Sequence, residues 1–427
     1  MPVFVGAGTS SFMKGSDGVG FSRVTSTQRD ALSSPISGQV IFNTTTGVLE
    51  FYDGSAWAKV SAVVAKLNSV SGSIVDGVGT NLTLSGEGFL QGGLIVNFTQ
   101  SADSINVNVT VTPSSDTAAT VAVPASVYNN VTSGRVVQIK VTNSDGSTSG
   151  IINKTAVSLP TGGNTINTYS GYRSHKFTSS GTWTNTFVTS ADVLIVAGGG
   201  GGGADNSGGG GAGGMIVQTG VSVSAQAYTI TVGGGGVGSY NSSGDSGPYA
   251  TNGANSSALG YTAIGGGRGS SAGGANANSG GSGGGGGGES ASSTGGAGTS
   301  GQGNNGGNEA NAGGGGGGGK GAVGQNGNVR GTSRGGYGGA GASNTYETGS
   351  PISYAAGGNG GNENGQFESQ AATDGIGGVS NPNGSSRASS GAAGRGAGGG
   401  GCTHDTSADS PSGGDGGSGV VVIRYAI

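Results

Sequence analysis

Val193-Leu194-Ile195-Val196-Ala197-Gly198-Gly199-Gly200-Gly201-Gly202-Gly203 decides how this chain is read. A continuous apolar run, the mark of a buried strand, passes directly into six glycines. Further runs follow at Gly283 to Gly288 and Gly313 to Gly319, separated by short Asn/Ser/Thr/Ala stretches. Of the 103 glycines, about four-fifths lie after Ala197, a density outside ordinary globular composition. Such a segment buries almost no side chain, so hydrophobic burial cannot hold it. Two readings stand. One is a disordered, low-complexity segment. The other is an array ordered by its backbone: in extended helices of the polyproline II type every N–H and C=O points outward, and without side chains neighbouring helices can bond one another. A run of seven glycines would then span about 22 Å at roughly 3.1 Å per residue. The entropic cost is high, because Gly loses the most backbone freedom on folding. A collagen triple helix fits poorly, since there is no strict Gly-X-Y period and only 9 Pro.

Apolar strands bracket the glycine region. Tyr172 to Thr178, Ala191 to Ala197, Tyr228 to Val232 and Gly419 to Ile427 carry strand signals, and Thr161-Gly162-Gly163-Asn164 reads as a linker. The expected scaffold is Val193 to Val196, Ile230, Val232 and Val420 to Ile423, with glycine-rich arms projecting from it. The words Phe177-Thr178-Ser179-Ser180-Gly181-Thr182-Trp183, Val193-Leu194-Ile195-Val196-Ala197-Gly198-Gly199-Gly200 and Gly416-Gly417-Ser418-Gly419-Val420-Val421-Val422-Ile423-Arg424-Tyr425 resemble the glycine-rich modules of bacteriophage fibres and adhesins. That resemblance implies a stack of polyglycine II helices whose connecting loops meet the host surface. It puts recognition near Tyr240, Tyr249, Tyr337, Tyr346, Tyr354 and Phe367, all in interruptions between glycine runs. Rings on rigid loops offer contact area at low entropy cost, and Arg268, Arg330, Arg334, Arg387 and Arg395 could pair with acidic glycans. The competing reading is that these rings plug gaps between packed arms.

Ahead of the glycine half the chain reads as two β modules. In residues 1–61, Pro35 to Asn43 is a turn into a strand, Thr44 to Gly47 a turn, and Val48 to Tyr52 a returning strand, with Phe42, Phe51 and Trp57 as the apolar face. One hairpin is marginal alone in water, so partner chains are expected. The stretch Ser33 to Trp57, with its Pro35-x-x-Gly38 turn, Asn43-Thr44-Thr45 turn and Leu49-Glu50-x-Tyr52-x-Gly54-x-x-Trp57 ending, resembles a repeat of bacteriophage tail-fibre and structural proteins. In residues 62–160, Leu82 to Leu84, Ile105 to Val111 and Val137 to Val141 alternate apolar and polar, and Gly-containing turns recur at short spacing. Six or seven strands in about a hundred residues suit an immunoglobulin-like sandwich. The words Leu67 to Gly72, Gly79 to Phe89 and Val141 to Gly146 are similar to the IPT/TIG-type immunoglobulin-like family, whose members are spacers or binding modules.

Composition narrows the function classes. Charged residues make up 9% and the net charge is −4, which gives no basic face for nucleic acid. No stretch approaches the ~20 apolar residues of a membrane span, the start lacks signal-peptide features, and one Cys excludes an intrachain disulfide framework. Gly314 to Lys320 spells the start of a phosphate-binding loop, but Gly321 stands where Ser or Thr is needed. Cys402-Thr403-His404-Asp405 is the only cluster of metal-ligand types and falls short of a tetrahedral set. Glu347, Glu363, Glu368 and Asp374 lie near one another and read as solvated acids rather than a glycosidase pair.

The expectation is therefore a mostly β, non-enzymatic bacteriophage virion fibre or adhesin, with no cofactor and no metal. Residues 1–61 form a module for virion attachment and oligomerisation, 62–160 an immunoglobulin-like sandwich, and 161–427 the glycine-rich domain. Its partners would be other tail or capsid proteins, two further copies in a homotrimer, and a host glycan or outer-membrane protein. Alternatives are a capsid or collar fibre without receptor binding, or a cellular surface or matrix protein.

Overall fold

In a computed structural model of the chain, residues 21–60, 64–89, 92–240, 249–271, 276–288, 293–310, 313–327, 334–362, 374–381, 387–403 and 412–427 are described. Strand outweighs helix, 35% against 3%, so the mostly β expectation holds. By contact the chain divides into two compact units. One holds the N-terminal and middle sheets; the other holds the glycine-rich half with segments 73–80 and 125–136.

The N-terminal sheet orders Ser22–Val24, Val40–Asn43, Val48–Tyr52 and Trp57–Lys59 side by side. Register decides its faces. Val40 lies opposite Phe51, Phe42 opposite Leu49, and Phe51 opposite Ala58, so these five share one face. Trp57 pairs with Tyr52 instead and stands on the other face, its ring 5.5 Å from that of Tyr52. This corrects the expected trio of Phe42, Phe51 and Trp57, because period two sends neighbours 57 and 58 to opposite sides. The short helix Ser26–Asp30 is held by a capping box between Thr25 and Gln28. From it Arg29 reaches Glu50 at 2.8 Å, and Glu50 also accepts from Asn43 and Thr46.

The middle sheets are antiparallel. Ile152–Thr155, Val136–Asn143, Leu94–Gln100 and Ile105–Val111 form one, and Lys66–Ser71, Asn81–Glu87 and Ala118–Ala122 the other. Burial alternates along both: Leu82 and Leu84, Val96 and Phe98, Ile139 and Val141 are all fully buried. Gly86 has a steric reason, since a Cβ there would sit 2.4 Å from the Phe89 ring.

In the glycine-rich half, five antiparallel strands run in the order Thr165–Tyr169, Tyr172–Phe177, Val420–Ala426, Ser190–Val196 and Met215–Ser222. The C-terminal strand is central, bonded to both neighbours. Both faces are buried, which accounts for the unbroken apolar runs 193–196 and 420–423. Val193, Ile195, Val421 and Ile423 face one cluster with Phe177, Trp183 and Tyr425. Leu194, Val196, Val420 and Val422 face another with Met215, Tyr346 and Tyr354. Ile230 is in the first cluster, but its strand Ala227–Ile230 pairs with Gly181–Thr184 as a separate layer. The expected linker is built in: Thr161 bridges Thr184, and the Gly162 carbonyl accepts from His175 Nδ1 at 2.7 Å.

The glycine runs bond one another in the third direction. Along 198–203 the N–H donors rotate through three neighbours with period three. Gly198 and Gly201 donate to Ala254 and Thr251, Gly199 and Gly202 to Gly417 and Gly414, Gly200 and Gly203 to Gly211 and Gly208. The carbonyls rotate through three others: Gly198 and Gly201 accept from Gly266 and Gly269, Gly199 and Gly202 from Gly236 and Ser239, Gly200 and Gly203 from Gly399 and Cys402. Six surrounding segments with a three-residue repeat are the pattern of a polyglycine II array. Runs 208–213, 281–286, 314–319 and 396–402 are enclosed the same way. Positive φ is not the reason for glycine in the first run, where none occurs. Close approach is: a Cβ on Gly198 to Gly203 would fall 1.9 to 2.2 Å from a neighbouring carbonyl oxygen.

Candidate functional site

Two surfaces stand out, one in the N-terminal sheet and one in the glycine-rich half. In the N-terminal sheet, the face bearing the Arg29–Glu50–Asn43 network is closed by the helix Ser26–Asp30. Burial works to raise the Glu50 carboxyl, but hydrogen bonds from Arg29, Asn43 and Thr46 outweigh it and hold it below the usual range. The opposite face carries Val40, Phe42, Leu49, Phe51 and Ala58, all half-buried, with the Arg23 guanidinium 5.1 Å from the Phe42 ring centre. In residues 21–60 the buried apolar side chains are Val24, at 9% exposure, and Ile41. That is too little core for a sheet of this size to stand alone. Leu49 and Val40 were missed as members of this face; the alternation Val40-x-Phe42 against Leu49-x-Phe51 was the available signal.

The second surface lies at the end of the glycine array remote from the five-stranded sheet. Ser239 donates to Gly202, six residues beyond Val196, which is about 19 Å of polyglycine helix. Tyr240 and Tyr249 therefore stand near that end, 56% and 57% exposed. The Arg268 guanidinium lies 5.2 Å from the Tyr249 ring centre, close enough for cation–π attraction. Its Nη1 is buried without a hydrogen-bond partner, and burial lowers its pKa.

The other ring positions divide differently. Tyr337 is half-buried within the array. Tyr346 and Tyr354 are buried, at 6% and 0% exposure, and so are not surface contacts. They belong to the hairpin Ala342–Asn344 with Ile352–Tyr354, which packs on the sheet. Tyr354 Oη donates to Glu347 at 2.7 Å, Lys176 Nζ reaches Glu347 at 2.7 Å, and Ser174 and Asn167 donate to the Glu347 carbonyl. Burial works to raise the Glu347 carboxyl, yet Lys176 and Tyr354 hold it below its ordinary value. Arg424 is bound to Asp192 at 2.7 Å and lies 4.3 and 4.0 Å from the ring centres of Tyr172 and Tyr346. The gap-filling reading of the aromatics applies to these two tyrosines. Phe367, Glu363, Glu368, His404 and Asp405 lie outside the described residues. Asp374 accepts from the Gly341 N–H. The Gly314 to Lys320 stretch is an enclosed run whose amides are spent on Gly361, Gly286, Gln325, Gly358, Gly283, Ala322 and Ala355 rather than on a phosphate. Among the described residues no cluster of three metal-ligand side chains occurs, and no helix is long and apolar enough to cross a membrane.

Residues 176–426, more than half of the chain, match the model of a glycine-rich domain. The chain belongs to the glycine-rich domain family. The match opens in strand Tyr172–Phe177 and closes in strand Val420–Ala426, which pair with each other, so this glycine-rich domain contains the sheet as well as the array. Residues 10–74 match a phage tail like trimerisation region, and the half-buried apolar face falls inside that match. Together the two matches support a phage tail-fibre-like structural protein that forms a homotrimer. No curated protein matches the chain.

Proposed function

We propose that the chain is a subunit of a trimeric bacteriophage tail fibre that attaches the particle to its host. The N-terminal module joins three copies and meets other virion proteins. The middle sheets serve as an immunoglobulin-like spacer, and the glycine-rich domain presents Tyr240, Tyr249 and Arg268 to a host glycan or outer-membrane protein. The observation that carries the reading is the apolar face of Val40, Phe42, Leu49, Phe51 and Ala58, only half-buried and lying in the segment that matches a trimerisation region. Support for the contact role is the rigidity of the array beneath two exposed rings, which lowers the entropy lost on binding. Two measurements test the proposal. Sedimentation of the full chain should give the mass of three copies, and the labelled protein should bind host cells in a saturable way. A trimer that binds no host cell would leave a structural fibre without receptor contact.

A further inference from the structure

A polyglycine array has an edge problem like that of a β-sheet. Each helix at its rim turns a row of N–H groups, one every third residue, away from its neighbours. Such a row is an open template for another chain, as an unpaired strand edge is. Here the rows are met by side chains. Asn255 Oδ1 accepts from Gly265 N–H at 2.8 Å and Asn252 Oδ1 from Arg268 N–H at 2.9 Å. Asn308 Oδ1 accepts from Gly295 at 2.9 Å and Asn305 Oδ1 from Gly298 at 2.9 Å. Asn362 and Asn359 make the same pair of bonds to Gly335 and Gly338, but in the interior, where both asparagines are buried. In each case two asparagines three apart on one helix meet two amides three apart on the next, so the side-chain spacing equals the helix repeat. A carboxamide oxygen is chemically the carbonyl that a further polyglycine helix would supply.

We propose that the exposed Asn-x-x-Asn pairs, Asn252 with Asn255 and Asn305 with Asn308, close the rim of the array against the glycine helices of a second copy. The asparagines act as a built-in last neighbour: they satisfy the outward amides and leave no acceptor-hungry row for another domain to fill. In a trimer, where three such domains are tethered together, an open rim would favour their fusion into one larger array and linkage between fibres. The inference rests on the bonding within one chain and does not depend on what the fibre binds.

The pair Asn305 and Asn308 is exposed and lies on helices other than those bearing Tyr240, Tyr249 and Arg268, which suits it to a test on the full-length protein. Two double variants are compared with the wild type: Asn305→Ala with Asn308→Ala, and Asn305→Asp with Asn308→Asp, the second keeping an acceptor oxygen at each site. Hydrogen exchange over 293–299 and sedimentation across a concentration series are read together. In the Ala variant exchange at Gly295 and Gly298 should rise about fivefold, the factor for one ordinary hydrogen bond, and species larger than the wild-type assembly should appear as concentration rises. The Asp variant should keep both the protection and the wild-type mass. Unchanged exchange in the Ala variant, faster exchange without larger species, or an Asp variant as open as the Ala variant would each overturn the proposal. Exchange over the enclosed run 198–203 shows in every sample that the array is folded.

Discussion

The N–H of Gly200 donates to the carbonyl of Gly211 at 2.8 Å, although neither residue belongs to a strand or a helix of the usual kinds. The bond is one of twelve that tie the run 198–203 to six neighbouring segments, and together they explain how a segment without side chains is ordered. A folded core normally offsets chain entropy by burying apolar surface. Here the offset comes from backbone bonds made at a spacing that only glycine permits, together with the Cα–H···O contacts that such spacing brings.

Glycine should be indispensable where a Cβ would meet a neighbouring carbonyl and replaceable where it would meet nothing. A Cβ on Gly200 would sit 2.2 Å from the Gly267 carbonyl oxygen, whereas one on Gly234 meets nothing within 4 Å. Gly200→Ala should therefore destabilise by about 3 kcal/mol or more, as overpacking of a close-packed interior does. Gly234→Ala should be neutral or stabilising by about 0.5 kcal/mol, because alanine restricts the unfolded chain. Thermal unfolding of the two variants checks the contrast in sign.

His175 should make stability fall with acid in its own window. Burial lowers its pKa, against a smaller opposing effect of the hydrogen bond to Gly162. The folded protein thus holds the ring neutral while the unfolded chain protonates it near pH 6.5. The unfolded state binds more protons below that point, so stability is complete above about pH 7. It declines as pH drops through 6.5, by at most about 1.4 kcal/mol per unit. Glu50 and Glu347, whose pKa values are lowered, lose their contribution at lower pH, progressively as it falls through the ordinary carboxylate range toward their lowered values. Unfolding midpoints between pH 5 and 7.5 should slope in the wild type and run flat in His175→Phe.

The Lys176–Glu347 pair should behave as a unit. Its side chains are 17% and 10% exposed, so removing one partner strands the other. Glu347→Met should cost about 3 kcal/mol, toward the lower end for a buried pair. The double variant Lys176→Met with Glu347→Met should cost less than the two single changes summed. Denaturant titrations of the four proteins give the coupling.

Assembly should depend on one face of the N-terminal sheet. Phe51→Glu puts a charge among Val40, Phe42, Leu49 and Ala58 and should reduce the sedimenting mass to that of one copy. Ile36→Glu, at a side chain 71% exposed and outside the strands, should leave the trimer intact. Retention of the trimer by Phe51→Glu would remove this face from the interface.

The sequence announced the frame of the fold better than its interior. Val193 to Val196 and Val420 to Ile423 are legible as strands because they are continuous apolar runs, and Ile105 to Val111 because it alternates. Trp57 was misplaced because a face depends on register, and the Ala58–Phe51 pairing is invisible until the strands are aligned. Tyr346 and Tyr354 read as loop aromatics because their neighbours are glycine and polar residues. What buries them is a hairpin docked through Glu347 onto Lys176, a contact 171 residues apart in sequence. The asparagine pairs were in plain view at Asn252 and Asn255, Asn305 and Asn308, Asn359 and Asn362. Their meaning needs the three-residue repeat of the helices they bond.

Hydrogen exchange on the wild-type oligomer tests the central claim most directly. The account predicts slow exchange through 198–203, 208–213, 281–286, 314–319 and 396–402, where every run is bonded on six sides, and faster exchange in the connections between them. Exchange at the rate of an unfolded chain across those runs would contradict the array and return the glycine-rich half to a flexible segment.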